Sequence, residues 1–229
     1  MTKFQILEQD IMVQFKNKKL LENVFIHRSY LNENRSSKLV SNEKLEFLGD
    51  SVLSLITSVY LYKKYPKLTE GEYTEIKAAI VRTESLAEAA GKLNLGHYLF
   101  LSKGQDQEKG RENKNILADS FEAFIAAIFI DQGFDKAYDF VVNYLFKTRL
   151  DNIVVNKLYM SPKSRLQEYT QGQFKSTPLY KVEEEKGPEH LRTYKIAVYV
   201  NDKKSAVGVG KTKKEAEEKA AKTALEKIT

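Results

Sequence analysis

Apolar positions recur every three or four residues through most of the first 150 residues, the mark of helices with one buried stripe. The spacing predicts helices over 3–15, 18–29, 42–64, 70–92, 115–131 and 134–148. Pro66 ends the third of these, and Thr69 with Glu72 opens the fourth in a capping-box pattern. The polar stretch 103–114 carries two glycines and reads as a loop. Beyond residue 160 the period changes. A helix over 164–173 is followed by strands over 179–184, 193–201 and 205–210 and a helix over 212–227. In the second strand Tyr194, Ile196, Val198 and Val200 alternate with other residues, as a half-buried strand requires. Asn201 and Asp202 make the turn that follows. Ala216, Ala220, Ala224 and Ile228 share one face of the last helix, and Tyr169 and Phe174 read as core. The fold class expected is multi-domain: an all-α domain over 1–148, a joining segment over 149–161, and a small α+β domain of α-β-β-β-α order over 162–229.

Composition narrows the chemistry. The 229 residues are 42% hydrophobic and 30% charged, enough for real cores. There is no cysteine and there are only three histidines, far apart at 27, 97 and 190. Thiolate metal sites, disulfides and cysteine nucleophiles are thereby excluded. The longest unbroken apolar run, 123–130, is short of the roughly 18 residues of a spanning helix. The expectation is a cytoplasmic protein with no membrane partner. Net charge is +6, and residues 161–229 hold +5 of it, with 15 Lys and Arg against 10 Asp and Glu. A polyanionic partner for the small domain follows.

Two helical segments that are apolar almost all round each carry a pair of acids. Glu46 and Asp50 are spaced i, i+4; Asp119 and Glu122 are spaced i, i+3. Either spacing puts a pair on one face, with Cβ atoms about 5–6 Å apart. A helix apolar on every side is buried, and paired carboxylates there repel unless something positive joins them. Oxygen ligands without His or Cys suit a hard cation, Mg²⁺ first and Mn²⁺ second. Such a site points to metal-assisted phosphodiester hydrolysis. Gly49, in mid-helix, implies either close helix–helix contact or room for substrate or metal beside Asp50.

The string 42–51, NEKLEFLGDS, resembles the signature of the bacterial ribonuclease III family. The likeness extends to His27-Arg28-Ser29, to Thr69-Glu70-Gly71, and through 78–86 and 116–123, and so covers nearly the whole chain. Lys44 stands where the family has Arg, and the stretch 31–41 is longer than is usual. The resemblance implies that Glu46, Asp50, Asp119 and Glu122 are the metal-binding acids, with Asp50 and Glu122 catalytic. It implies that Glu43 and Glu70 are further acids of the cleavage valley and dimer face, and that Phe47 docks into a partner subunit. It also implies a homodimer in which each subunit cuts one strand of an RNA duplex. The products would carry 5′-phosphate and 3′-hydroxyl ends with short 3′ overhangs. The family is tied to ribosomal RNA processing and messenger RNA turnover.

The small domain resembles a double-stranded RNA-binding domain. RNA duplexes are read by shape, 2′-hydroxyls and phosphates over roughly 16 base pairs. Three patches match that need: Ser164, Gln167 and Gln171 on one helical face; His190 in the loop between the first two strands; and Lys211, Lys213 and Lys214 at the start of the last helix. Lysines beside free backbone N–H groups make a phosphate clamp. Two other readings are a duplex-RNA binder whose helical domain only dimerises, and a metal nuclease acting on DNA. Four retained acids speak against the first, and the RNA-type small domain against the second.

Overall fold

The structure is a computed structural model and describes residues 3–188 and 191–228. It divides into two compact units after Tyr159.

The first unit is helical. Its elements are α1 (Lys3–Asp10), α2 (Lys18–Val24), α3 (Arg28–Glu33), α4 (Glu43–Lys64), α5 (Glu70–Ile80), α6 (Thr83–Lys92), α7 (Lys103–Gln107), α8 (Lys114–Gln132), α9 (Phe134–Val141) and α10 (Lys147–Val155). α8 is the axis of the unit. It is apolar almost all round, and Phe121, Phe124, Ile125 and Ile128 are wholly buried. α2, α4, α6 and α9 pack around it. By length and apolar content alone α4 could cross a membrane, although Glu46 and Asp50 interrupt its apolar run. In this fold its inner face, including Leu53, Ile56 and Leu61, is buried.

Several elements depart from the sequence expectation. The helix read over 70–92 breaks at Val81 and Arg82, and neither Gly nor Pro marks the break. The turn lets Ile76 and Ile80 on α5 and Leu86, Ala89 and Ala90 on α6 all reach the interior. The predicted loop 103–114 contains α7 and a 3₁₀ turn over Gly110–Glu112. Arg111 fastens that segment, donating to the carbonyls of Gly96, His97 and Leu99 and pairing with Asp106 at 2.8 Å. The joining segment expected over 149–161 is mostly helix. α10 buries Leu150 and Ile153, and Asp151 accepts hydrogen bonds from Lys64 and Tyr65 at 2.6 and 2.7 Å. The capping box at Thr69 and Glu72 forms as predicted.

The second unit consists of α11 (Pro162–Phe174), β1 (Leu179–Lys186), β2 (Thr193–Val200), β3 (Lys203–Gly210) and α12 (Lys213–Ile228). The three strands form one antiparallel sheet in the order β1-β2-β3. α12 lies directly on β3. A Cβ at Gly208 would stand 2.2 Å from the Ala216 carbonyl oxygen, so small residues on both sides set this contact. The core is Leu166, Val198, Ala206, Ala220, Ala221 and Ala224. Phe174 is 46% exposed and meets Tyr169 edge-on at its surface. It is not core, because α11 ends there and the chain turns through Lys175 in the left-handed region.

Candidate active site

The acids come together where α4 crosses α8. A Cβ placed on Gly49 would lie 1.9 Å from the backbone oxygen of Glu122 and 2.4 Å from its carbonyl carbon. Only glycine permits so close an approach. Glu46 precedes Gly49 by one turn and Asp50 follows it directly, so the crossing sets the α4 acids against Glu122. The close helix contact is the explanation of this glycine that the geometry supports, and the contact assembles the acids.

Ligand oxygens of Glu46, Asp119 and Glu122 lie within 4.8 Å of one another. All three side chains are half-buried. Asp50 is exposed and falls outside this tight triplet, yet it is the carboxylate that presses hardest on Glu122. Burial, followed by the charges of Asp50, Asp119 and Glu46, pushes the Glu122 carboxyl up to about 8 from an ordinary 4.5. Burial also raises Glu46, with Asp119 and Glu43 adding to it, and burial raises Asp119. Among the described residues only Arg28 opposes these shifts on Glu46 and Asp119, and none of them supplies a cation that relieves Glu122. Like charges held this close with so little compensation are what a divalent cation would neutralise. An all-oxygen donor set without His or Cys fits Mg²⁺ or Mn²⁺.

Next to the triplet is a cleft of about 350 Å³ lined by His27, Arg28, Asn42, Glu43, Glu46 and Asp119. Its frame is well fixed. The His27 Nδ1 accepts the Ser29 backbone N–H and caps α3. Asn42 is buried, and its side chain donates to the Val24 carbonyl at 3.1 Å, pinning the start of α4. Burial and the Arg28 charge hold His27 below its ordinary value. Glu43 is on the rim, where it accepts the Ser41 hydroxyl at 2.7 Å and faces Arg28 at 3.7 Å. Lys44 lines a different groove, beside Leu39 and Val40, and does not serve the acids.

Other expected residues lie elsewhere. Glu70 is at the start of α5, lining a groove with Tyr62 and Tyr73 near the far end of α4. Sixteen residues of helix separate Glu46 from Tyr62, roughly 24 Å at 1.5 Å per residue. The structure therefore does not bring Glu70 to the acid cluster. Phe47 is 79% exposed, so the core reading of that aromatic is excluded. Leu55 and Tyr62 are also exposed on α4, within about 80° of Phe47 around the helix.

In the second unit Ser164, Gln167 and Gln171 are exposed along α11. Ser161 caps that helix and its hydroxyl lies 3.1 Å from that of Ser164. Lys211, Lys213 and Lys214 are exposed at the start of α12. Thr212 accepts the Glu215 N–H, and Glu215 accepts the Lys211 N–H. The Lys213 ammonium stands 5.6 Å from the Tyr194 ring centre. His190 lies outside the described residues. Sequence reasoning passed over Lys163, whose Nζ pairs with Glu217 at 2.5 Å and ties the start of α11 to α12. It also gave no role to Arg28, although the residue stands in a motif already singled out.

Comparison with known proteins agrees with this division. Residues 17–149 match a family described as ribonuclease-III-like, and residues 162–228 match the double-stranded RNA binding motif. The ribonuclease 3 of Oceanobacillus iheyensis is 44% identical over 97% of this chain and 96% of its own length. That of Dehalococcoides mccartyi is 44% identical over 97% and 93%. Among solved structures, the nuclease domain of Campylobacter jejuni ribonuclease III superposes with a TM-score of 0.60 at 36% identity, covering 64% of this chain and 99% of that one. It is described as having a flexible region involved in dimer formation. With an acid cluster at a helix crossing in one unit and a basic α-β-β-β-α fold in the other, this chain belongs to the ribonuclease III family and is an endoribonuclease that cleaves double-stranded RNA.

Proposed function

We propose that this endonuclease is Mg²⁺-dependent, with Mn²⁺ as a substitute, and that Glu46, Asp50, Asp119 and Glu122 hold the metal. The observation that carries the reading is the meeting of Glu46, Asp119 and Glu122 oxygens within 4.8 Å, with no cation among the described residues relieving Glu122. When bound, a divalent ion supplies charge neutralisation and lowers the pKa of its water. Glu122 and Asp50 are the residues closest to the chemistry. The close crossing at Gly49 sets them against each other, and acids preorganised in this way are where electrostatic catalysis gains most. Water adds to phosphorus and the bond to the 3′ oxygen breaks, leaving a 5′-phosphate and a 3′-hydroxyl.

The small unit binds the duplex, with Ser164, Gln167 and Gln171 placed for 2′-hydroxyls and the three lysines for phosphate. The exposed face of α4 that carries Phe47, Leu55 and Tyr62 is the surface through which we place a homodimer, with Glu70 near its far end and Glu43 at the cleft rim. Ribosomal RNA processing and messenger RNA turnover in the cytoplasm are the roles this activity suits.

A labelled RNA duplex incubated with the protein tests the whole reading. Cutting with Mg²⁺, none with chelator, and none of single-stranded RNA is the expected result. Cutting in chelator overturns the metal assignment. The lysine patch has its own test. Changing Lys211, Lys213 and Lys214 together to Gln removes up to three phosphate contacts. A plot of log affinity against log salt should then flatten by about 2–3 units. An unchanged slope removes these lysines from the RNA interface.

A further inference from the structure

The cleft beside the acid cluster poses a problem for the substrate. A phosphodiester entering it meets Glu43, Glu46 and Asp119, all of its own sign. Among the described residues that line the cleft, Arg28 is the only permanently charged cation. We propose that Arg28 forms a phosphate-binding subsite of the active site, gripping the RNA backbone next to the bond that is cut. This rests on the reading of Glu46, Asp119 and Glu122 as the metal-binding acids.

Four observations support the subsite. First, the Arg28 side chain is 71% exposed, and its partner Glu43 is exposed as well. Their separation of 3.7 Å is long for a pair, and such surface pairs contribute little. Arg28 is therefore available to a stronger anion. Second, its backbone is fixed. The Ile26–Phe100 bridge and the His27 N–H bond to the Phe100 carbonyl hold the chain just before it, and His27 caps the turn it begins. Third, the residue left behind is already satisfied, because Glu43 keeps the Ser41 hydroxyl at 2.7 Å when the guanidinium departs. Fourth, Lys44 points to another groove and cannot take the task. A planar guanidinium also offers the paired donors that match two phosphate oxygens.

The competing role is that of a counter-charge. Arg28 acts on Glu46 and Asp119, so it could serve only to keep the acids together. The two roles separate by salt dependence. Full-length protein carrying Glu122→Gln, which should not cut, is titrated with labelled duplex RNA in Mg²⁺ across a salt series. Adding Arg28→Gln should flatten the slope of log affinity against log salt by about 0.9 for each Arg28 that engages RNA. Arg28→Lys should restore most of the slope, since it keeps the charge. In the otherwise unchanged enzyme, Arg28→Gln should lower kcat about ten- to a hundredfold, as expected for a misplaced substrate, at an unchanged Mg²⁺ requirement. An unchanged salt slope overturns the proposal. So does a raised Mg²⁺ requirement with full kcat once Mg²⁺ is saturating, which identifies the counter-charge role. If Glu122→Gln still cuts, it is the metal reading that fails. The slope comparison is then made in chelator and still decides the role of Arg28.

Discussion

Glu122→Gln should bind duplex RNA as the wild type does and cut it on the order of a thousandfold more slowly or worse. Losing several kcal/mol of transition-state stabilisation at a metal ligand has that effect. Affinity should hold because the basic patches are in the other unit. The same substitution should stabilise the metal-free fold. Glu122 sits among Asp50, Asp119 and Glu46, and its carboxyl is pushed up to about 8 from 4.5. Between those values the folded chain binds a proton that the unfolded chain does not. Ionising the group therefore costs stability as pH rises through this window, and the whole cost is present above it. Gln carries no such charge. With chelator present, the melting temperature of the variant minus that of the wild type should be near zero at pH 4.5. It should grow until about pH 8, at roughly 2–4 °C for each kcal/mol relieved. Mg²⁺ should raise the wild-type melting temperature and leave the variant nearly unmoved, because a ligand that binds only the folded state stabilises it. A variant that cuts normally, or that melts lower than wild type in chelator at neutral pH, removes Glu122 from the site.

The acid pairs were readable because two constraints coincide in them. Helical spacing puts Glu46 with Asp50 and Asp119 with Glu122, and the apolar surroundings point inward, which holds for the half-buried Glu46, Asp119 and Glu122 but not for the exposed Asp50. That the two pairs meet is a property of the crossing, and no local pattern encodes it. Gly49 shows the limit: the sequence leaves its meaning open until the Glu122 carbonyl arrives opposite it. Arg28 is harder still. On sequence it is one exposed base among many, and only the cleft gives it a neighbourhood. The misread elements share a physical cause. The break between α5 and α6 and the helicity of α7 and α10 are decided by what each segment packs against, and periodicity does not carry that information. α3 is a case of capping, since His27 supplies the acceptor that Ser, Thr, Asp or Asn usually provide. β2 and α12 were legible because alternation and an alanine face are local signals. Phe174 failed because an apolar residue at a helix end need not reach the core.

Gly49→Ala should disable the enzyme more thoroughly than its size suggests. On propensity alone the change favours α4, by about 1 kcal/mol. The new methyl group, however, would sit 1.9 Å from a backbone oxygen, and its neighbour at 2.4 Å is backbone as well. Neither can swing aside as a side chain could. α4 and α8 must separate by about 1–1.5 Å to restore ordinary contact, and overpacking of this kind costs about 1–3 kcal/mol. Catalysis should suffer more than stability. The separation moves Glu46 and Asp50 away from Asp119 and Glu122 together, and a misplacement of about 1 Å costs on the order of a hundredfold in rate. The variant should therefore melt lower, cut at least a hundredfold more slowly, and need more Mg²⁺, while still binding duplex RNA through its second unit. Gly71→Ala and Gly91→Ala are the controls. Both glycines are helical, and beyond its chain neighbours and its own helix backbone neither has an atom within 4 Å of the added methyl position. Those variants should melt at or slightly above the wild-type temperature with full activity. Were Gly49→Ala to behave like them, the close crossing would not be what assembles the four acids.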